Sequence, residues 1–405
     1  MLRIGSIPLV GERTAKPAAA AFLLSSSAVA NAVVPFEGAE IEVRAREPYV
    51  VVRFNDSKDA TTAFSDGHKL VQQGLDLLSV LGTQDSVIRD AEDEHLLLWS
   101  EPTGLVLRIV STTLLKFAVG PITAIVRDKD GNVVPPEPSH PRHHIGFRYY
   151  RLAQTTDDLF DAYRNMYLAF EVLLSSQYPK TKAEREVDWL RRALSGASKT
   201  ISLNGLGTKP GPDPVEAILD EVYRDARLPL FHAKEGWAYY APQDSPDRRA
   251  AVSHALAILT HLVLRMVEGW CGARRMGGFV FFGWVYDNVR DQLASCSAYA
   301  TNYDGPFDPT EVDLSHPRFQ SALKLTCRIA PELQRGREPA LLAAATGLDL
   351  SSINAIRRIE VATTDHPYIA QILEAPLELD NVARFEVVMH IRGTNLNQPR
   401  TLFRK

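Results

Sequence analysis

Cysteine is scarce in this chain: three in 405 residues, at positions 271, 296 and 327, with no CxxC among them. An odd number at such spacings excludes a disulfide framework and a zinc knuckle as the basis of the fold, and reduced thiols of a cytoplasmic protein are the plain reading. Charge of one sign is missing as well, since 45 Lys and Arg stand against 49 Asp and Glu, a net charge of -4. Nothing global therefore draws the chain to nucleic acid, and any basic surface has to be local. No stretch approaches the roughly 18 consecutive apolar residues of a membrane-spanning helix, so no membrane partner is expected. Phosphate-loop chemistry lacks its motif: "GLGTKPG" (205–211) has glycines and a lysine without the Walker spacing and reads as a connection. His140, His143 and His144 in "SHPRHH" could supply imidazoles to a metal, but with no Cys or carboxylate beside them they read as a solvated loop. No metal and no cofactor are expected.

What is present suits two or three domains, each large enough for its own core. Residues 1–145 read as an N-terminal α/β domain with hairpins. "YVVVRF" (49–54) is strand-like, "LLLWSEPTGLVLRIV" (96–110) is two strands about a Glu-Pro-Thr-Gly turn, and "FAVGPITAIVRDKDGNVV" continues the pattern with a turn at Asp130-Gly131. Between them Leu70, Val71, Leu75, Leu78 and Leu81 give 67–82 a helical period. The leading run "AAAAFLLSSSAVANA" follows Arg3, Arg13 and Lys16 and ends in a cleavage-like Ala-Asn-Ala. Ser25 to Ser27, Glu12 and Pro17 interrupt it, so cytoplasmic retention is preferred over export with loss of residues 1–32.

A proline-rich stretch near 133–144 closes that domain. Residues 146–275 then read as a four-helix, all-α bundle, with helices over 155–176, 184–196, 214–227 and 246–270. Residues 276–405 read as a C-terminal α+β region, with "FVFFGWVY" and "RFEVVMHIRG" as strands and helical segments over 339–346 and 351–360. The expected fold is thus a multidomain α+β protein whose central bundle is flanked by an α/β and an α+β region.

The chemistry-bearing candidate is "YRDARLPLFHAKEG" (223–236). Pro229 removes a backbone donor and obstructs the preceding turn, so the helix should end or kink between Arg227 and Phe231 and let His232 return towards Arg227. An arginine fork suits phosphate oxygens and a histidine carries protons near neutrality. Together they could cleave RNA without a metal, the histidine as general acid or base and the arginine stabilising the phosphorane. The alternative is that Arg227 neutralises helix C-terminal carbonyls and His232 satisfies a buried backbone group. Glu171, among apolar neighbours in the first long helix, could orient Arg227. His254 and His261 read as core or interface residues. Residues 147–275 carry 18 Lys and Arg against 16 Asp and Glu, which gives no basic track for RNA.

Arg-x4-His at a helix end, behind a helix like "RYYRLAQTTDDLFDAYRNMYLAFEVLLSS", resembles the HEPN superfamily, most closely its Apea-like branch. "LFHAKEG" is also similar to the methylamine utilization protein MauJ family, soluble accessory proteins without an assigned activity. The first resemblance implies a homodimeric, metal-independent endoribonuclease acting through Arg227 and His232 on RNA; the second implies an accessory or ligand-binding protein. The residue after the arginine is usually polar in active HEPN ribonucleases, and here it is Leu228. A third reading takes "LLAAATGLDLSSINAIRRIE" (341–360) as a helix-turn-helix with Arg357 and Arg358 on DNA phosphates. Asn354 and Ala355 offer little base-reading chemistry, so packed helices without DNA are preferred there.

Overall fold

The computed structural model describes residues 2–10, 17–89, 91, 94–117, 127–133, 141–156, 158–206, 213–231, 246–273, 282–305, 322–334, 338–346, 353, 355–362 and 367–395. In chain order the first elements are β1 Arg3–Ile4, β2 Ile7–Pro8, β3 Ala18–Leu23, β4 Ala32–Phe36, β5 Ala39–Val43, β6 Tyr49–Phe54, α1 Ala60–Val80, β7 Glu94–Glu101 and β8 Gly104–Phe117. A helical stretch follows with α2 Gly146–Thr155, α3 Leu159–Gln177, α4 Glu186–Ala197, α5 Pro214–Ile218, a π-helical segment Leu219–Arg227, α6 Leu228–Phe231 and α7 Pro246–Cys271. The chain then gives α8 Phe282–Leu293, β9 Ser297–Thr301, β10 Leu323–Ile329, β11 Ala340–Thr346, β12 Ile356–Ala362, β13 Pro367–Glu378 and β14 Val382–Asn395. Two compact units result: Met1–Lys116 with Phe281–Thr394, and Phe117–Val280 with Asn395–Lys405.

This corrects the expected architecture of a central four-helix bundle between two flanking regions. Both ends of the chain build one sheet of fourteen strands, in the order β2-β1-β13-β12-β9-β10-β11-β14-β8-β7-β3-β6-β5-β4, and the helical stretch is an insertion into that unit. Every strand pair with a described register is antiparallel. The period-two logic of a strand buried on both faces is plain in β3. Ala19, Ala21 and Leu23 join a core with Leu96, Leu98, Ile359, Phe385 and Val387, so residues from both ends of the chain meet in it. Ala18, Ala20 and Phe22 point the other way, to Val50, Val52 and α1. Ion pairs join its early and late strands, Arg3 to Glu378 at 2.7 Å, Arg108 to Glu386 at 2.7 Å and Arg384 to Glu101 at 2.7 Å.

Helix α1 is capped by Asp59, whose carboxylate accepts from the Thr62 N–H at 2.8 Å. Its glycines allow a close approach to the sheet. A Cβ at Gly67 would lie 3.0 Å from the Ala20 Cβ, and one at Gly74 would lie 2.6 Å from the Ile41 Cδ1.

Two further expectations are corrected in this unit. Residues 282–286, the larger part of the expected "FVFFGWVY" strand, begin helix α8 (Phe282–Leu293), and residues 274–281 lie outside those described. Residues 341–360 are not a helix-turn-helix: Ala340–Thr346 is β11, between β10 and β14, and Ile356–Ala362 is β12, between β13 and β9. Alanine and leucine favour helix locally, but pairing on both edges and burial of alternate residues override that preference. Leu341 and Ala343 enter the shared core, while Leu342 packs with Val110 and Val388 on the other face.

In the helical unit, α3 and α7 are the central pair. Met166, Tyr167, Phe170 and Leu174 of α3 share a core with Val252, Leu256, Leu259, Val263 and Met266 of α7. Among the described residues α7 is the helix long and apolar enough to cross a membrane, and a little over half of its most apolar stretch is buried within the protein.

Candidate functional site

The site forms around Arg227, where three elements converge. Helix α3 starts on an Asp158 cap, its carboxylate accepting from the Asp161 N–H at 2.8 Å. This sets Tyr163, Tyr167 and Glu171 at four-residue intervals on one face. Helix α4 begins at Glu186, so that carboxylate sits at the positive end of its own helix. The third element runs from α5 through the π segment to α6, and the chain stays helical past Pro229. The expected break after Arg227 is therefore replaced by wider turns before the proline. The Leu228 N–H donates to the Tyr223 carbonyl, five residues back. Wider turns relieve the clash of the proline ring with the carbonyl four residues earlier. The Tyr163 hydroxyl donates to the Val222 carbonyl at 2.6 Å and ties the widened segment to α3.

Arg227 closes the site. Its Nη2 lies 3.2 Å from the Glu186 Oε1, and its guanidinium carbon stands 5.7 Å from the Tyr167 ring centre, 5.4 Å from Tyr223 and 5.3 Å from Phe231. The Tyr167 hydroxyl donates to the same Glu186 oxygen at 3.3 Å. The Arg227 side chain is 16% exposed and that of Glu186 is 24% exposed, so the pair is shielded yet still reached by solvent. Phe231, one of the three rings, is itself exposed. Burial raises the proton affinity of Glu171, and the Glu186 charge adds to this while Arg227 opposes it. Burial also holds the phenols of Tyr163, Tyr167 and Tyr223 protonated. The arrangement can hold an anion on a planar cation between rings, and Glu186 is the anion it now holds.

These geometries coincide with the region that the family comparison picks out. Residues 147–268 match the model of the family described as methylamine utilization protein MauJ. The MauJ match covers α2 and α3 and runs into α7, so it contains Arg227, Glu186, Glu171 and the three tyrosines; the strands of the sheet lie outside it. No curated protein and no solved structure matches the chain.

Of the residues singled out from sequence, Arg227 and Glu171 fall in one cluster within the matched region, while His232 lies outside the described residues. Glu186 and the rings of Tyr167, Tyr223 and Phe231 escaped the sequence reading. Aromatic side chains on helices carry no sign of which cation they will meet, and a glutamate 41 positions from Arg227 carries no local signal. Of the core and interface readings of His254, the core one does not hold: its Nε2 lies 2.6 Å from the buried Glu221 carboxylate, and its ring is substantially exposed. His261 is exposed. His144 accepts the Gly146 N–H at 3.1 Å on its Nδ1, and burial lowers its proton affinity; His140 and most of "GLGTKPG" lie outside the described residues. Among the described residues no cluster of three or more His, Cys, Asp or Glu is placed to hold a metal.

Arg357 and Arg358 do not form a phosphate-contacting pair. Of the two, only Arg357 is exposed. Arg358 has no exposed side-chain area, pairs with Glu360 at 3.3 Å and covers the Tyr303 ring at 4.8 Å.

Proposed function

We propose that the helical unit is a non-catalytic recognition module of an accessory protein in methylamine utilization, with Arg227 as its anion-recognising centre. The MauJ family match supports the setting. The observation that carries the role is the state of Arg227, whose charge is already compensated by Glu186 and covered by three rings. A carboxylate or phosphate group of a partner can take the place of Glu186, the chain's own side chain acting as a latch. In this reading the HEPN-like Arg-x4-His spacing marks an ancestry of fold, with ribonuclease chemistry given up at Leu228. A homodimer through the helical unit, with Phe231 beside the contact, and retention in the cytoplasm belong to the same proposal. Retention is supported by β3, because removal of residues 1–32 would take a strand fully buried between β6 and β7 out of the sheet.

Complementation tests this directly. A strain deleted for the chain should grow poorly on methylamine, and a copy carrying His232→Ala should restore growth while one carrying Arg227→Ala should not. Failure of both copies, with both variants folded, points instead to a catalytic pair. Rescue by both removes Arg227 from the function.

A further inference from the structure

The scarce cysteines are not all isolated in space. Strands β9 and β10 are antiparallel neighbours, with Leu325 opposite Ala298 and Thr326 opposite Ser297. Cys296 directly precedes β9, and continuing this register by one residue sets it opposite Cys327. Directly opposed residues of an antiparallel pair have Cα atoms about 4.5–5.5 Å apart, within the roughly 4.4–6.8 Å that a disulfide bridges. Both residues are free thiols. The Cys296 thiol donates to the Leu293 carbonyl at 2.9 Å, and Cys327, on the partner strand, is half-buried. Each thiol acts on the other's proton affinity, lowering that of Cys296 and raising that of Cys327. Cys271 ends α7 in the other unit and takes no part.

We propose that Cys296 and Cys327 form a reversible dithiol–disulfide modification site whose oxidant is a small-molecule disulfide such as oxidised glutathione. The Cys296 thiolate attacks one sulfur of the oxidant, forming a mixed disulfide and releasing one thiol. Cys327 then gives its proton to solvent and attacks the Cys296 sulfur, expelling the second thiol. Two protein thiols are oxidised and one disulfide is reduced. The bond clasps β9 to β10 and closes the chain between them into a loop, which constrains the unfolded state and steadies this half of the sheet.

The test treats the reduced full-length chain with oxidised glutathione, blocks remaining thiols with iodoacetamide and maps unreduced peptides by mass. The expected product is a peptide pair linked through Cys296 and Cys327, with Cys271 alkylated, the link lost on adding dithiothreitol and absent from both Cys296→Ser and Cys327→Ser. The oxidised chain should also melt at a higher temperature than the reduced one. Alkylation of both Cys296 and Cys327 in folded protein, under conditions where the urea-unfolded chain does cross-link, overturns the proposal. So does a glutathione adduct that never resolves into the internal bond.

Discussion

In the sheet, Arg358 and Glu360 have no exposed side-chain area and lie two residues apart on one strand, with Tyr303 against the guanidinium. In the helical unit, Arg227 meets the same kinds of partner, a carboxylate and aromatic rings, but draws them from three separate elements and keeps part of its surface exposed. The chemistry is shared and the access is not. A sealed ion pair on one strand can only serve the sheet that contains it, whereas a pair assembled between helices, with a carboxylate at a helix start, can exchange partners without unfolding the unit.

The largest effect expected from breaking this comparison is at Arg358. Replacement by leucine takes the Arg358 cation away from a fully buried carboxylate, a loss of about 3–5 kcal/mol. The strand unit should unfold at clearly lower temperature in calorimetry; an unchanged melting profile would show that Arg358 is not the sealed pair described. Arg227→Leu is next. It removes the ring contacts but leaves a partly exposed Glu186 that water can reach, so the expected loss is about 1–2 kcal/mol, confined to the helical unit. A loss as large as that at Arg358 would contradict the account of a pair reached by solvent. Smaller still is Glu186→Gln, at about 1 kcal/mol or less for a shielded but solvent-touching pair. Its informative consequence is tighter binding of inorganic phosphate, measured by calorimetry, because the latch is weakened while the cation and rings stay.

The smallest effect concerns pH. Burial raises the Glu171 pKa above its usual value, so the folded chain holds this proton more tightly than the unfolded chain. Stability from this group is therefore full below the ordinary carboxylate range and declines as pH rises through the folded value. Glu171→Gln should melt like the parent at acidic pH and slightly higher at neutral pH. A variant that melts lower at neutral pH would mean Glu171 is held there as a charge partner of Arg227.

The same contrast explains what could be read from the sequence. The segments 49–54 and 96–110 alternate or run apolar between clear turns, and they are strands; 155–176, 184–196 and 246–270 carry helical stripes, and the observed helices overlap them. The last third misled because local preference and tertiary pairing disagree there. "ALLAAAT" is helix-favouring composition placed between two strands, and Arg358 looks like a surface cation until the sheet closes over it. That the two ends form one sheet is a long-range fact, carried by pairings such as Arg3 opposite Glu378, which no local window contains. At the candidate site the sequence offered Arg227 and Glu171 through residue type and helical context. Glu186 and the enclosing rings arise from how α3, α4 and the π segment meet, and the π register itself follows from a proline that reads locally as a stop.

The central claim is that Arg227 recognises and does not catalyse. Incubating the purified full-length chain with end-labelled RNA in EDTA, beside His232→Ala and Arg227→Ala, tests it most directly. The account predicts intact RNA in all three reactions. EDTA-resistant cleavage by the parent chain, lost in both variants, would contradict it and make Arg227 and His232 a metal-independent nuclease pair.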